Sequence, residues 1–306
     1  MNLSVVVSTY NGEQYIYEQL NSLRMQSRPA DEVLIFDDGS TDKTLEIINT
    51  YIETYKLKHW KCIKNNQNKG WKRNFMEGIT ATSGDLIFTC DQDDIWMENK
   101  LALMEQQMEH NFSIDVLASD FIRYYGLNHK ERGLSLRGNL IKVDYRKKML
   151  LTVCPGCTFC IRRTFFNKVQ QYWHSNHPHD SFLWRYGMFT NGTYILNQPL
   201  VNWRKHADST FTLELKTSNN LQGKIDWLNY ADEVLKHLAQ YLEQTQVPEQ
   251  KQKKQTVQLY TDWLIQRRKF IKSKNPFVGI GLLKYVMCYS TVRQYLGDWV
   301  VTYLSR

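Results

Sequence analysis

The sequence predicts an α/β fold, a mostly parallel central sheet flanked by helices, followed by a helical C-terminal extension. Two observations lead there. Short apolar runs rich in Val, Ile and Phe are followed by a polar turn and then by a stretch with helical apolar spacing, and this order recurs through the N-terminal part of the chain. Beyond about residue 215 the strand-like runs stop, and the pattern becomes helical and basic.

Leu3 to Val7 reads as a buried strand, and Ser8, Thr9, Tyr10, Asn11 and Gly12 as the polar turn that ends it. Glu13 to Met25 is predicted as a helix, with Tyr15, Ile16, Leu20 and Leu23 on one face. Glu32 to Phe36 is the second strand, Asp37 to Asp42 its turn, and Lys43 to Tyr55 the next helix, burying Leu45, Ile48 and Ile52. Trp60 to Ile63 is a third strand, and a helix from Lys69 to Ala81 leads to the strand Asp85 to Cys90. Strands joined through helices in this way run parallel, with right-handed crossovers. Lys100 to Glu109 reads as helix and Ile114 to Phe121 as strand. Gly133 to Val143 is punctuated by glycine and basic, and Leu151 to Ile161 is strand-like around Pro155 and Gly156. His177, Pro178, His179 and Asp180 break the chain before an aromatic helix, Ser181 to Gly187, and Tyr194 to Trp203 supplies further strands. A first domain over 1–215 would divide into halves at about 1–110 and 111–215. The second, 216–306, holds a helix from Leu221 to Gln244, a polar linker around Pro248 and two basic aromatic helices.

Function turns on Asp91, Gln92, Asp93, Asp94, Ile95 and Trp96, which emerge where a buried strand ends, the edge at which open α/β sheets collect ligands. Such crowded carboxylates repel one another, and solvation or a shared divalent cation relieves the repulsion. An equal alternative is an acidic cap on a helix beginning near Met97. No turn carries a glycine-rich phosphate loop or a dinucleotide fingerprint, which argues against a nucleotidyltransferase.

The composition of the 306 residues is globular, and the net charge of +8 suggests an anionic partner. The excess is concentrated at the C-terminal end, where Lys251, Lys253, Lys254, Arg267, Arg268, Lys269, Lys272, Lys274, Lys284 and Arg293 face only Asp262 and Asp298. With Trp263, Phe270, Phe277 and Trp299 interleaved, these helices could lie on an anionic bilayer or fold as a core of their own. A nucleic-acid-binding protein is the rival that the same basic, aromatic composition raises. The six cysteines read as free, buried thiols; Cys154, Cys157 and Cys160 lack the second Cys/His pair of a zinc site. The N-terminus has no secretory apolar region and no run reaches the length of a membrane span, so the expectation is a cytoplasmic protein, peripheral on the inner face of the cell membrane.

Taken in order, Ser8 to Gly12 with Glu13, Asp37 to Asp42, Asn68 to Asn74, Asp91 to Trp96, His179 with Asp180, and Trp203 to His206 resemble the motif series of inverting family 2 glycosyltransferases of the GT-A fold. The resemblance spans roughly residues 1 to 210, and the series is specific although each piece is weak. The Asp-Gln-Asp-Asp-Ile-Trp form is similar to the bacterial branch that builds capsule, O-antigen and cell-wall polysaccharide, rhamnosyltransferases included.

The resemblance implies a Rossmann-like GT-A domain and a role for each residue. Ser8, Thr9, Tyr10, Asn11, Glu13 and Asp38 would hold the nucleoside, Lys69 and Arg73 the diphosphate, and Asp91 with Gln92 the ribose side of the donor. Asp93 and His206 would hold Mn²⁺ or Mg²⁺, hard cations that suit oxygen ligands and a diphosphate. Asp180 would be the base that deprotonates the acceptor, with Gly156, Cys157, His179 and Trp184 lining the acceptor site. Each has a plainer reading: Asp38 makes a turn, Lys69 and Arg73 form a solvated face one helical turn apart, Asp180 caps a helix, Trp184 is core. The implied partners are a nucleoside-diphosphate sugar, dTDP-rhamnose or a UDP-hexose, and a lipid-linked glycan acceptor; no nucleic acid is expected. Ser181 follows His179 and Asp180 where related rhamnosyltransferases carry aromatics, which leaves the donor sugar open. A catalytically inactive sugar-nucleotide-binding relative is the remaining alternative. The sequence carries nothing that fixes the oligomeric state.

Overall fold

The computed structural model describes residues 1–125, 129–206 and 220–304. Contacts divide the chain into two compact units, Met1–Val143 with Thr152–Lys205, and Asp144–Leu151 with the chain from His206 onward. The boundary expected near 215 falls within 207–219, outside the described residues.

The first unit is built on β1 (Leu3–Thr9), whose every residue is buried because both faces of a parallel strand are covered. It pairs in parallel with β2 (Glu32–Asp37) on one side and β4 (Leu86–Asp91) on the other, and β2 pairs in parallel with β3 (Trp60–Lys64). Helices α1 (Ile16–Arg24), α2 (Thr44–Thr54) and α3 (Trp71–Ala81) make the crossovers. Leu3, Val5 and Val7 of β1 pack with Ile16 and Leu20 of α1, Ile35 of β2 and Phe88 of β4 in one cluster. Two helices start later than their apolar spacing suggests. Asn11 adopts a left-handed φ of +47° and the Gly12 carbonyl accepts the Tyr15 and Ile16 amides, so a turn precedes α1. Gly70, at φ +85°, stops α3 from reaching back to Lys69.

The remaining elements of this unit are β5 (Ile95–Trp96), α4 (Lys100–His110), β6 (Val116–Tyr124), β7 (Lys130–Arg132), β8 (Leu140–Lys142), β9 (Phe159–Arg162), α5 (Arg163–Val169), α6 (His179–Phe189) and β10 (Thr193–Arg204). They complete a ten-stranded sheet in the order β3-β2-β1-β4-β9-β6-β10-β5, with β7 on β6 and β8 on β10. Strand β9 runs antiparallel to both β4 and β6, so the second half of the sheet is mixed. The strand-like stretch around Pro155 is shorter than its composition suggests, because a 3₁₀ turn at Gly156–Thr158 precedes β9. Register places Ser8 beside Asp91 and Thr9 beside Asp37, which gathers the polar turns of β1, β2 and β4 at one edge.

The second unit holds α7 (Leu221–Gln244), α8 (Gln250–Ser273), α9 (Pro276–Gly281), a 3₁₀ stretch at Leu282–Cys288, and α10 (Val292–Leu304). Leu238, Tyr260, Trp263 and Phe270 are buried there, so part of the aromatic set is core. Arg267 is buried, donates to Asp298 at 2.7 and 2.8 Å, and lies within about 5 Å of the Trp227, Trp263 and Tyr289 ring centres. Burial pushes the Asp298 carboxyl up, but Arg267 and Lys224 outweigh it and hold the group below the usual carboxylate range. Among the described residues no helix is long and apolar enough to cross a membrane.

Candidate active site

The turns after β1 and β2 lock onto each other. Thr9 Oγ1 donates to Asp37 Oδ2 at 2.9 Å, the Asn11 amide to Ser40 Oγ at 2.9 Å, and the Gly12 amide to Thr44 Oγ1 at 2.8 Å. Glu13 closes the set by accepting the Lys43 amide at 2.9 Å. Tyr10 is held from the acidic side, its amide donating to Gln92 Oε1 at 2.8 Å and its carbonyl accepting Gln92 Nε2 at 3.0 Å. A Cβ at Gly12 would stand 2.3 Å from Gln92 Oε1, so a side chain here would displace the Gln92 amide that holds Tyr10.

Behind them lies a buried polar chain that sequence reasoning missed. Asn74 Nδ2 donates to Ser8 Oγ at 2.7 Å, Asn65 Nδ2 donates to Asn74 Oδ1 and to Asp38 Oδ1 at 2.9 Å each, and Asp38 also accepts the Lys69 and Gly70 amides at 2.9 and 2.8 Å. Asp38 is therefore a buried acceptor that ties down the loop before α3, while Asp37 makes the turn after β2 by accepting the Gly39 and Ser40 amides at 3.2 and 2.9 Å. A carboxylate offers about four acceptor positions, so three bonds leave room for a further donor such as a ring N–H.

The acidic turn is not a helix cap. Strand β5 and Met97 to Asn99 separate it from α4, whose first residue donates its amide to the Met97 carbonyl. Asp94 Oδ1 instead accepts the Arg204 amide of β10 at 2.9 Å, while Arg204 Nε donates to the Asp93 carbonyl at 2.7 Å. Arg204 thus clamps the turn against the sheet. Ligand atoms of Asp91, Asp94 and Cys157 lie within 4.8 Å of one another, the grouping of potential ligands found among the described residues. Asp94 Oδ2 is buried without an N–H donor. Burial, then the Asp93 charge, pushes Asp94 up to about 7; burial, then Asp94, Asp93 and Asp180, raises Asp91 well above the carboxylate range. The Cys157 thiol is raised by burial and by the same carboxylates, so it stays neutral and is a poor ligand for a hard cation. Two close carboxylates with an oxygen lacking an N–H partner fit a divalent cation. Asp93 is half-buried at the turn's surface and outside that grouping, and His206 belongs to the second unit. The three tempting cysteines do not gather as a set; Cys154 and Cys160 are separate buried thiols.

Asp180 stands at the second position of α6, after Pro178, and accepts the Ser181 amide at 2.5 Å, so it belongs to the helix's first turn rather than its cap. Gly156 brings it to the acidic edge. The Gly156 carbonyl accepts Thr89 Oγ1 of β4 at 2.6 Å, and a Cβ on Gly156 would stand 2.7 Å from His179 Nε2 and 3.2 Å from Asp180 Cβ. His179 is buried, stacks on Phe75 at 4.0 Å and meets the edge of Trp71. Burial lowers it to about 4, so its ring is neutral and its packing, not its charge, fixes the start of α6.

Some expected residues sit differently. Lys69 and Arg73 converge, but on Glu77, at 2.6 and 2.7 Å, and Lys69 lies outside α3. Trp184 is 1% exposed and stacks on Phe159, so its ring faces the core and not an acceptor sugar. Lys100 was missed. It is fully buried on α4, its Nζ lies 3.4 Å from the Trp96 ring centre, and it donates no hydrogen bond among the described residues.

The profile of Glycosyl transferase family 2 matches residues 4–170, more than half of the chain. The chain belongs to glycosyl transferase family 2. Among family relatives, the dTDP-rhamnosyl transferase RfbG of Shigella flexneri is 27% identical over 214 residues, 66% of this chain and 72% of that protein. The poly(ribitol-phosphate) beta-N-acetylglucosaminyltransferase TarS of Staphylococcus aureus is 40% identical over 96 residues, 31% of this chain and 16% of TarS. An uncharacterized glycosyltransferase of Nostoc is 34% identical over 101 residues, which span 33% of this chain and 31% of the relative. The solved structure of TarS 1–349 with UDP-GlcNAc aligns with a TM-score of 0.63 at 19% identity, covering 99% of this chain and 90% of that one. The mannosyltransferase PcManGT of Pyrobaculum calidifontis, solved with GDP-Man and Mn²⁺, aligns at 0.55 and 14% identity, covering 98% and 84%. At these identities the likeness concerns the fold, and the fold is the GT-A arrangement with C-terminal helices that the sequence predicted.

Proposed function

We propose that this chain is an inverting, metal-dependent glycosyltransferase that moves a sugar from a nucleoside-diphosphate donor to a hydroxyl of a lipid-linked glycan in bacterial polysaccharide synthesis. One observation carries the reading. The turns of β1 and β2, the carboxylates after β4 and the Asp180 end of α6 meet at a single sheet edge, with Gly156 as the point of closest approach. Relatives supply the donor class: RfbG is named a dTDP-rhamnosyl transferase, and TarS was solved with UDP-GlcNAc.

In this reading Ser8 to Asn11, Glu13 and Asp38 receive the nucleoside, and Lys69 and Arg73 exchange Glu77 for the diphosphate. Asp91, Asp93 and Asp94 hold Mn²⁺ or Mg²⁺, which when bound offsets the charge that builds on the leaving diphosphate. His206 as a further ligand belongs to the same proposal. The Asp180 carboxylate takes the proton of the acceptor hydroxyl, whose oxygen forms the new bond to the anomeric carbon from the face opposite the diphosphate. The bond from that carbon to the diphosphate oxygen breaks, its electron pair leaves with the nucleoside diphosphate, and the anomeric configuration inverts. Gly156 and His179 keep the Asp180 end of α6 against β4 while this happens.

The test is release of free nucleoside diphosphate from a panel of dTDP-, UDP- and GDP-sugars by the purified protein with Mn²⁺. The reading expects release from one donor class, abolished by excess EDTA. No release from any donor, together with no donor binding, would overturn it.

A further inference from the structure

The second unit divides the aromatic, basic stretch seen in the sequence into an inside and an outside. Tyr260, Trp263, Phe270, Leu282 and Tyr285 are buried. Phe277, Ile280, Leu283 and Met287 are exposed along α9 and the 3₁₀ stretch, from 80% at Phe277 to 52% at Leu283, while Leu282, Tyr285 and Cys288, three residues apart, turn inward. On α10, Val292, Leu296, Val300 and Leu304 recur every four residues and are likewise more than half exposed. The two stretches lie side by side: Tyr295 of α10 donates through its hydroxyl to the Gly279 carbonyl at 3.2 Å, and Tyr303 donates to the Lys274 carbonyl at 2.6 Å. A Cβ on Gly279 would come within 2.6 Å of both Phe270 and Trp299, so this contact is as tight as glycine allows. Their buried sides, Leu282, Tyr285 and Cys288 on one and Asp298, Val301 and Thr302 on the other, face the unit's interior.

Charge says what covers the outside. Between Ile271 and Leu304 the exposed ions are Lys272, Lys274, Lys284 and Arg293, and the one acid, Asp298, is buried against Arg267 and Lys224. A second copy docking by the same face would bring cations against cations. An apolar face carrying only positive charge matches a surface that is apolar beneath and anionic above.

We infer that the face of α9, the Leu282–Cys288 stretch and α10 docks on an anionic lipid bilayer, its apolar side chains entering the headgroup boundary and its four cations meeting lipid phosphates. The inference is independent of the glycosyl-transfer reading. Flotation with vesicles of phosphatidylcholine containing about 30% phosphatidylglycerol is the test, with phosphatidylcholine alone as the control. The full chain should float with the anionic vesicles and not with the neutral ones. About 0.5 M NaCl should weaken the association without abolishing it, because the apolar part is not screened. A Phe277→Ser/Met287→Ser double variant, altered only at exposed positions, should lose binding by roughly tenfold or more, as removal of two inserted side chains implies. Donor hydrolysis by that variant in solution should be unchanged. Failure of the parent to float with anionic vesicles at low salt would overturn the inference, as would equal binding by the double variant. So would a defined oligomer of the parent that the double variant reduces to monomer, which would make this face an interface between copies.

Discussion

Lys100→Met tests whether the ammonium behind the acidic turn is held there against its own stability. Burial lowers this group from the usual 10.5 to about 8, with Cys157, Cys90, Cys160 and Asp94 acting in the opposite direction. That fall corresponds to roughly 3 kcal/mol of lost stability while the amine is charged. The Trp96 ring at 3.4 Å and Phe88 at 5.3 Å return up to about 2 kcal/mol through cation–π attraction. Met keeps most of the volume and removes both terms, so the variant should be about 1 kcal/mol more stable near pH 7. The pH dependence gives the sign. Between about 8 and 10.5 the folded chain has released this proton and the unfolded chain has not, so the parent gains stability as pH rises through that window. Met has no proton to release, so its advantage is full below pH 8 and shrinks towards pH 10.5. Urea unfolding of parent and variant at about pH 7 and about pH 9.5 reads the difference, and comparing the two proteins cancels the other titrating groups. A variant less stable than the parent by more than about 2 kcal/mol at pH 7, with a gap insensitive to pH, would refute the reasoning and mean that Lys100 is paired as a true ion pair.

Asp93→Ala should fold normally and lose transfer, and excess EDTA should do the same to the parent; full turnover in EDTA, read as nucleoside diphosphate release, would remove the metal from the account. Gly156→Ala puts a methyl 2.7 Å from His179 Nε2 and should displace the start of α6, lowering kcat by roughly tenfold to a hundredfold with donor affinity retained, as measured by transfer kinetics and calorimetry. Asp298→Asn leaves Arg267 buried without its anion and should destabilise the protein by roughly 3–5 kcal/mol, visible as a lowered thermal unfolding transition.

The parallel half of the sheet was legible because its strands are continuous apolar runs: β1, β2 and β4 could be read from Leu3 to Val7, Glu32 to Phe36 and Asp85 to Cys90 nearly as they stand. In the mixed half β6 and β10 could be read from Ile114 to Phe121 and Tyr194 to Trp203, but how its strands pair could not, because that pairing is long-range. Two-residue β5 exists only through Val201 and Asn202 of β10, and no local pattern announces it. The same limit applies to the site. The order of motifs singled out Ser8, Asp38, the Asp91 to Asp94 turn and Asp180, but the partners that fix three of them, Asn74 on Ser8, Asn65 on Asp38 and Arg204 on Asp94, depend on contacts across the fold. Helix periodicity ran through Gly70 because it cannot see a left-handed φ, and it began α1 at Glu13 because it cannot see the turn that Asn11 starts. Lys100 reads as an ordinary surface lysine opening a helix, and Trp184 as well suited to a sugar as to a core; only burial separates these readings.

The central claim is that Asp180 removes the acceptor's proton, and Asp180→Asn tests it most directly. The amide keeps the size of the carboxylate and an oxygen to accept the Ser181 amide, so α6 and the Gly156 contact should persist. Transfer rate, donor affinity and melting temperature are measured on this one variant. The account predicts transfer lowered by roughly 10² or more, with donor affinity and melting temperature unchanged. Near-normal transfer would contradict it and leave Asp180 as no more than the first turn of a helix.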